Sequence, residues 1–341
     1  MNKRDSRFEI LRIISMFLII MHHFVVHGID ISYISKHHAL VLQLLSLGGK
    51  IGVNIFILIF SYFIIYKEFS LNKVFKTLGQ VWFYSFIIFL FFKITNIHSF
   101  TLIDLLKIFF PIIFNSYWFI TMYIFIFICS YFFNDFVKTL DIKKYKTLLI
   151  CSSFILIILP LFKIETFYNN ITWFFFLYLL GGYLRRIENN LKISTLKSFI
   201  IAFGILFVGI LIIIITYKKS TFYISKYIFD NIFYCNGLIA VLFVLFLFLG
   251  IIKLKSKECK LINIVSKSTL AIYLIHDNFL VREYLWNDLF SAQKFACTEF
   301  YIQYCLLTVL IVFIVSFLID VLIRQLIFEK FYNKLIDYIF K

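Results

Sequence analysis

The sequence is poor in the residues that break helices and build linkers. It has two prolines, Pro111 and Pro160, and 11 glycines in 341 residues, and no stretch is rich in proline, glycine or serine. That composition leaves no linker and no appended soluble domain, so residues 1–341 read as one membrane domain. Acidic residues are also scarce, with 18 Asp and Glu against 34 Lys and Arg, for a formal net charge of +16. In a soluble chain such a surplus points to nucleic acid; here the basic residues gather in short loops, where they face anionic lipid headgroups, and no nucleic-acid partner is expected. Six cysteines, at 129, 151, 235, 259, 297 and 305, form no CxxC pair, which excludes a cysteine-based metal or disulfide framework. The first apolar run lacks a small-residue cleavage site and contains Arg12 and His23, so it reads as a retained helix rather than a signal peptide.

What is abundant is apolar. The chain is 62% hydrophobic, with a mean hydropathy of +0.95, and runs of about 20 apolar residues, the length that crosses ~30 Å of hydrocarbon, recur from end to end. Ten spans are expected, at about 8–28, 47–66, 77–95, 114–135, 147–163, 169–185, 198–217, 231–252, 261–281 and 301–325. The fold class is all-α and polytopic. Pro160 should end or kink the fifth span, and the amphipathic segment 102–113 is too short to cross and belongs in the interface or re-enters. With both termini cytoplasmic, 22 Lys and Arg fall inside and 10 outside, while Arg12 and Lys267 lie within spans. This bias is the one the positive-inside rule requires, and it supports an even number of crossings. The expected setting is a cell membrane that the chain crosses many times.

Charged groups inside a span cost at least ~2.5–3.5 kcal/mol at mid-membrane, so those that persist are candidates for function. The first span carries Arg12, the pair His22–His23, and His27 at its outer edge. Eleven positions at ~100° each place Arg12 and His23 about 20° from one line and ~16 Å apart along the axis, with His22 about 80° off. Counted from Phe8, His23 is ~22 Å from the inner boundary. Two bland readings stand beside the functional one: Arg12 can snorkel to lipid phosphates, and a histidine in a span can serve as a helix–helix hydrogen bond. The ninth span places His276 and Asp277 near its outer end, with His276 ~22 Å from Leu261, so two imidazoles and a carboxylate share one depth. A carboxylate that orients a base is the arrangement that makes a hydroxyl nucleophilic; the alternative is a cap at the water interface. Ser266 and Lys267, at its inner end, meet cofactor phosphates or lipid heads. Tyr117 and Trp118 open the fourth span, as part of an aromatic belt or as a platform for a sugar ring.

These residues resemble the membrane acyltransferases of the acyltransferase-3 type, which O-acylate surface glycans, over essentially the whole chain. The family's opening hallmark is an Arg and a His separated by ten residues, matched by Arg12 and His23. GVNIFILIFSYFI at 52–64 resembles its second signature through Gly52, Phe56 and Tyr62, although Phe60 replaces the usual Ser and Ser61 the usual Gly. Lys67, Lys73 and Lys76 stand in its following basic cluster, and YWFITMYI at 117–124 resembles its fourth helix, with Ser130–Tyr131 where a Pro is usual. FFFLYLLGGYLRR at 174–186 and STLAIYLIHDNFLVREYLW at 268–286 resemble two further elements.

The resemblance implies transfer of an acyl group, most often acetyl, from cytoplasmic acetyl-CoA to a sugar hydroxyl of a cell-surface or capsular polysaccharide. Arg12, Lys73 and Lys76 are then the expected contacts of the donor's phosphates. His23 is the expected general base or acyl acceptor, His276 and Asp277 its orienting partners, and Trp118, Tyr62 and Ser61 the expected substrate contacts. No metal is expected. The bilayer and a polysaccharide or lipid-linked glycan acceptor are the expected partners. The rival class is a transporter or flippase exporting a lipid-linked glycan, since buried Arg and His also suit a proton-coupled carrier; no internal repeat of the transporter kind is visible. A glycan polymerase would want larger outer loops than this chain has.

Overall fold

A computed structural model describes residues 4–219 and 222–339. Lys3 and Lys341, counted above among the inside charges, lie outside the described residues. Every regular element among the described residues is helical. A chain that crosses hydrocarbon must satisfy its backbone internally, and helices do so within one segment. Eight helices are long and apolar enough to cross: Ser6–Gly28, Lys36–Ile64, Leu71–Thr95, Trp118–Thr139, Ile142–Leu161, Thr195–Lys219, Ile224–Lys253 and Tyr301–Ile339. The protein is an all-α, multi-pass membrane protein.

Eight of the ten expected spans coincide with these helices; the other two take forms that explain their absence. Segment 169–185 forms the 18-residue helix Asn170–Ile187, started by a capping box between Asn169 and Thr172. Its ends are polar, with Asn170 and Thr172 at one and Arg185 and Arg186 at the other, while Trp173, Phe174, Leu177 and Tyr178 are 1% exposed. A helix enclosed by protein does not need the lipid-facing apolar surface of an outer span. It packs closely on the helix Gly48–Ile64, where a Cβ on Gly181 would lie 2.5 Å from Cβ of Ser61. Segment 261–281 is discontinuous: Lys260–Lys267, Thr269–His276 and Phe279–Glu283 are separate helices. The second break leaves Asp277 and Asn278 outside the helices, and the Asn278 side chain caps the next one by accepting from the backbone N–H of Leu280. Non-helical backbone at membrane depth is tolerated where protein encloses it, and Asp277 and Asn278 are each 1% exposed.

Other expectations meet the structure more directly. Segment 102–113 forms the short helix Leu102–Phe109, started by a capping box between Thr101 and Asp104. The helix carrying Pro160 passes through a π turn at Phe154–Ile158 and ends at Leu161. The second span is preceded by an added helix, Lys36–Ser46. The last span continues through a π segment, Asp320–Phe328, into the amphipathic helix Glu329–Ile339.

The chain forms two compact units. One comprises Met1–Leu18, Leu47–Glu68 and Cys129–Cys259. Within it, Asn54 donates to the carbonyl of Cys235 (2.7 Å) and accepts from the Trp173 indole (2.9 Å), and the Tyr178 hydroxyl donates to Asn134 (2.6 Å). The other comprises Ile19–Ser46, Phe69–Ile128 and Lys260–Lys341. Its interior holds a buried polar knot: the Tyr84 hydroxyl donates to Asp320 (2.6 Å), whose second oxygen accepts from Arg324 (2.9 Å) and Gln325 (2.7 Å).

Candidate active site

The second unit brings His23, His276 and Asp277 together. His276 closes the helix Thr269–His276 with no exposed surface, and its Nδ1 lies 2.6 Å from the carbonyl oxygen of Ile272. A carbonyl can only accept, so this Nδ1 carries the proton and Nε2 of the neutral ring is an acceptor. Nδ1 of His23 lies 3.0 Å from that Nε2 and must therefore donate to it. The pattern leaves the lone pair of His23 on Nε2, and the His23 side chain is 12% exposed. One backbone carbonyl thus sets the tautomer of two rings in series.

Asp277 flanks this chain. Its Oδ1 is 3.5 Å from Nδ1 of His23 and 2.8 Å from Nη2 of Arg282, which also donates to the Asp277 carbonyl at 3.2 Å. The helix break makes the arrangement possible, because adjacent residues of a continuous helix point about 100° apart. Tyr117 holds the broken end: its hydroxyl donates to the Leu274 carbonyl (3.1 Å) and accepts from the Asn278 amide (2.6 Å). The end of the opening helix is seated closely, since a Cβ on Gly28 would lie 2.8 Å from Cβ of Ala292 and 3.0 Å from that of Trp286. His22 is turned to the carbonyl of Ser46 (2.8 Å), and the ring of His27 lies 5.1 Å from that of His23. Trp118, next to Tyr117, is half-buried, its ring edge-on to Phe119 at 6.2 Å. Lys73 is exposed, and Lys76 pairs with Asp337 of the C-terminal helix at 2.8 Å. Lys267 pairs with Glu329 at 3.0 Å, and Ser266 is buried.

The first unit holds the remaining candidates. Arg12 Nη1 donates to both carboxylate oxygens of Glu9, at 2.8 and 3.0 Å, and the Glu9 side chain is 7% exposed. The Tyr62 hydroxyl donates to Glu188 and accepts from Arg185 (3.1 Å), whose guanidinium lies 4.9 Å over the Tyr62 ring and pairs with Glu188 at 2.9 Å. Ser61 is fully buried against Gly181, and its hydroxyl donates to the Ile57 carbonyl at 2.7 Å. The sequence reading missed Arg282, Glu9, Arg185 and Glu188. Glu9 had a usable signal, the three-residue spacing to Arg12 on one helix; Arg282 had none, since its partner lies across a helix break.

A family model described as an acyltransferase domain, Acyl_transf_3, matches residues 5–321. The chain belongs to the acyltransferase-3 family. No curated protein and no solved structure matches it. The match includes all residues of the histidine chain and Arg12. The protein is therefore a multi-pass membrane acyltransferase. Acyl transfer to a hydroxyl requires a group that removes the hydroxyl proton as the new bond forms. The His23 Nε2 lone pair, held in one tautomer by the bonds to His276 and Ile272, is a group able to accept a proton.

Proposed function

We propose that this acyltransferase moves an acetyl group from cytoplasmic acetyl-CoA to a hydroxyl of a cell-surface or capsular polysaccharide, or of its lipid-linked precursor, in a bacterial cytoplasmic membrane. The observation that carries the reading is the chain His23 Nδ1–His276 Nε2, 3.0 Å, and His276 Nδ1–Ile272 O, 2.6 Å. The acceptor oxygen attacks the thioester carbonyl carbon as its proton passes to His23 Nε2. The carbon–sulfur bond then breaks, and the proton leaves with the CoA thiol, so the base is regenerated. The imidazolium formed on the way is stabilised by Asp277, whose Oδ1 lies 3.5 Å from His23 Nδ1.

Arg12, Lys73 and Lys76 are assigned to the donor's phosphates through charge-assisted hydrogen bonds. Glu9 would hold the Arg12 guanidinium in place, at 2.8 Å. The Lys76–Asp337 pair does not oppose this role, since both side chains are partly exposed, at 33% and 52%, and such a pair is worth ~1 kcal/mol or less. Trp118 is assigned to a sugar face, and Tyr62 and Ser61 to the substrate path.

The test compares the NMR spectrum of the surface polysaccharide from cells with the wild-type protein, with none, and with His23→Ala at matched membrane abundance. The reading expects ester acetyl signals only with the wild type, and normal polymer export in all three. Full acetylation with His23→Ala removes His23 from the mechanism; loss of exported polymer without the protein favours a carrier instead.

A further inference from the structure

His23 and His27 are four residues apart on the helix Ser6–Gly28, so both rings project from one face. That spacing is the one by which a helix presents two imidazoles to a single metal ion. Asp277 supplies a third group: one ligand atom from each of His23, His27 and Asp277 lies within 4.8 Å of the other two. Among the described residues this is the one group of three or more such side chains gathered so closely. His23 and His27 are half-buried and Asp277 is buried, unlike a casual surface cluster. We propose that His23, His27 and Asp277 form a binding site for Zn2+, and that its occupation reversibly inhibits acyl transfer.

The donor set selects the ion. Two imidazoles and a carboxylate suit Zn2+ and its first-row neighbours, whereas Mg2+ and Ca2+ want oxygen ligands throughout. Metal–ligand bonds of about 2.0–2.2 Å in a tetrahedron place ligand atoms about 3.3 Å apart, so closing from 4.8 Å takes side-chain adjustment only. Three protein ligands leave the fourth position open to water. Arg282, 2.8 Å from Asp277 Oδ1, repels an incoming cation and keeps the binding reversible.

Inhibition follows from the imidazole itself and rests on the role of His23 proposed above. A neutral ring has one lone pair and one N–H. If Zn2+ takes Nε2, the base is occupied; if it takes Nδ1, the proton must move to Nε2 and the bond to His276 is lost. Either way no lone pair faces the acceptor hydroxyl.

The experiment uses the full-length chain, purified in detergent and stripped of metal by chelator. Titration of Zn2+ against a chromophoric chelator is expected to show one tight site per chain, weakened about tenfold or more by His27→Gln, an effect at least as large as losing a group that merely orients a ligand. X-ray absorption at the zinc edge of the wild type, which needs no variant, is expected to show a nitrogen and oxygen shell. Acyl transfer is expected to fall on adding Zn2+ and return with EDTA, with the inhibition constant of His27→Gln, measured against its own metal-free rate, raised about tenfold or more. A sulfur shell from the cysteines, or equal affinity in His27→Gln, overturns the site; loss of activity on chelation overturns the inhibitory role. Zn2+ that binds through His27 yet leaves the rate unchanged refutes His23 as the base while sparing the site. A chain that binds no Zn2+ but still needs His23 refutes the site and spares the acyl-transfer reading.

Discussion

If His23 and His276 act as one proton-relaying unit, removing either should cost nearly as much as removing both. A positioned general base contributes about 10²–10⁴-fold to rate, or roughly 2.7–5.4 kcal/mol of barrier, and His23→Ala should lose this factor. His276→Ala leaves His23 with its ring, yet removes the acceptor at 3.0 Å that keeps the proton on Nδ1. Asp277 Oδ1 is 3.5 Å from that nitrogen, but Arg282 already holds it at 2.8 Å. A buried donor left unmet costs about 1–3 kcal/mol, and the ring can escape that cost by rotating or by moving its proton to Nε2, either of which abolishes the base. His276→Ala is thus expected to lose about 10²-fold or more, and the double variant no more than the worse single variant. The assay is transfer of labelled acetyl from acetyl-CoA to acceptor in membranes, normalised to folded protein by detergent gel filtration. Losses that multiply in the double variant would show that the two histidines act independently, and the tautomer argument would fail.

Tyr117→Phe removes a fully buried hydroxyl that serves Leu274 and Asn278, and is expected to cost about 1–3 kcal/mol of stability; thermal unfolding in detergent measures it, and activity should fall with it because the same hydroxyl holds the helix end at His276. Arg324→Met leaves the Asp320 carboxylate, with no exposed surface, facing only Tyr84 and Gln325, and should destabilise by about 3–5 kcal/mol. Adding Asp320→Asn removes the orphaned charge and should recover part of that loss, so a double variant no better than the single one would contradict the buried-pair reading. At the short helix Leu102–Phe109, burial pushes the Asp104 carboxyl up, but the backbone N–H and hydroxyl of Thr101, with His98 beside them, outweigh it and leave the pKa below its ordinary 3.8. Because the folded value is the lower one, the cap is fully formed above about pH 4 and is lost as pH falls through the folded value. The protection factor of the Thr101 amide, whose N–H the Asp104 carboxylate accepts, should be high at neutral pH and fall below that range; protection unaffected by acid would refute the capping box.

Fold class was legible because the bilayer imposes one length and one period on every lipid-facing span. Helices such as Thr195–Lys219 and Leu71–Thr95 follow from apolar runs alone. The reading fell short wherever protein, not lipid, surrounds the chain. Asn170–Ile187 keeps polar ends because it is buried within its own unit, and the apolar run 261–281 hides a break that tertiary contacts stabilise. The helix Lys36–Ser46, with His37, His38 and Gln43 along it, carried too weak an apolar signal to be counted.

The site was legible in part for a related reason. His23, His276 and Asp277 stood out because each is costly at membrane depth, and cost is visible in one dimension. Their partners were not, because the group that sets which nitrogen of His23 is basic is a backbone carbonyl, at Ile272, and the group that pairs with Asp277 is an arginine five residues on, past a helix break. A carbonyl carries no sequence signature at all. In a continuous helix the Ile272 carbonyl would accept the backbone N–H of His276; here the imidazole Nδ1 also reaches it at 2.6 Å. The carbonyl oxygen has two lone pairs, so it can serve both, and the helix ends directly after this residue. The bond that fixes the His276 tautomer and the break at Asp277 thus meet at one helix end. Straightening the helix with Asn278→Ala, which removes the cap on Leu280 and the bond to Tyr117, should lower the rate without touching any group that handles the proton.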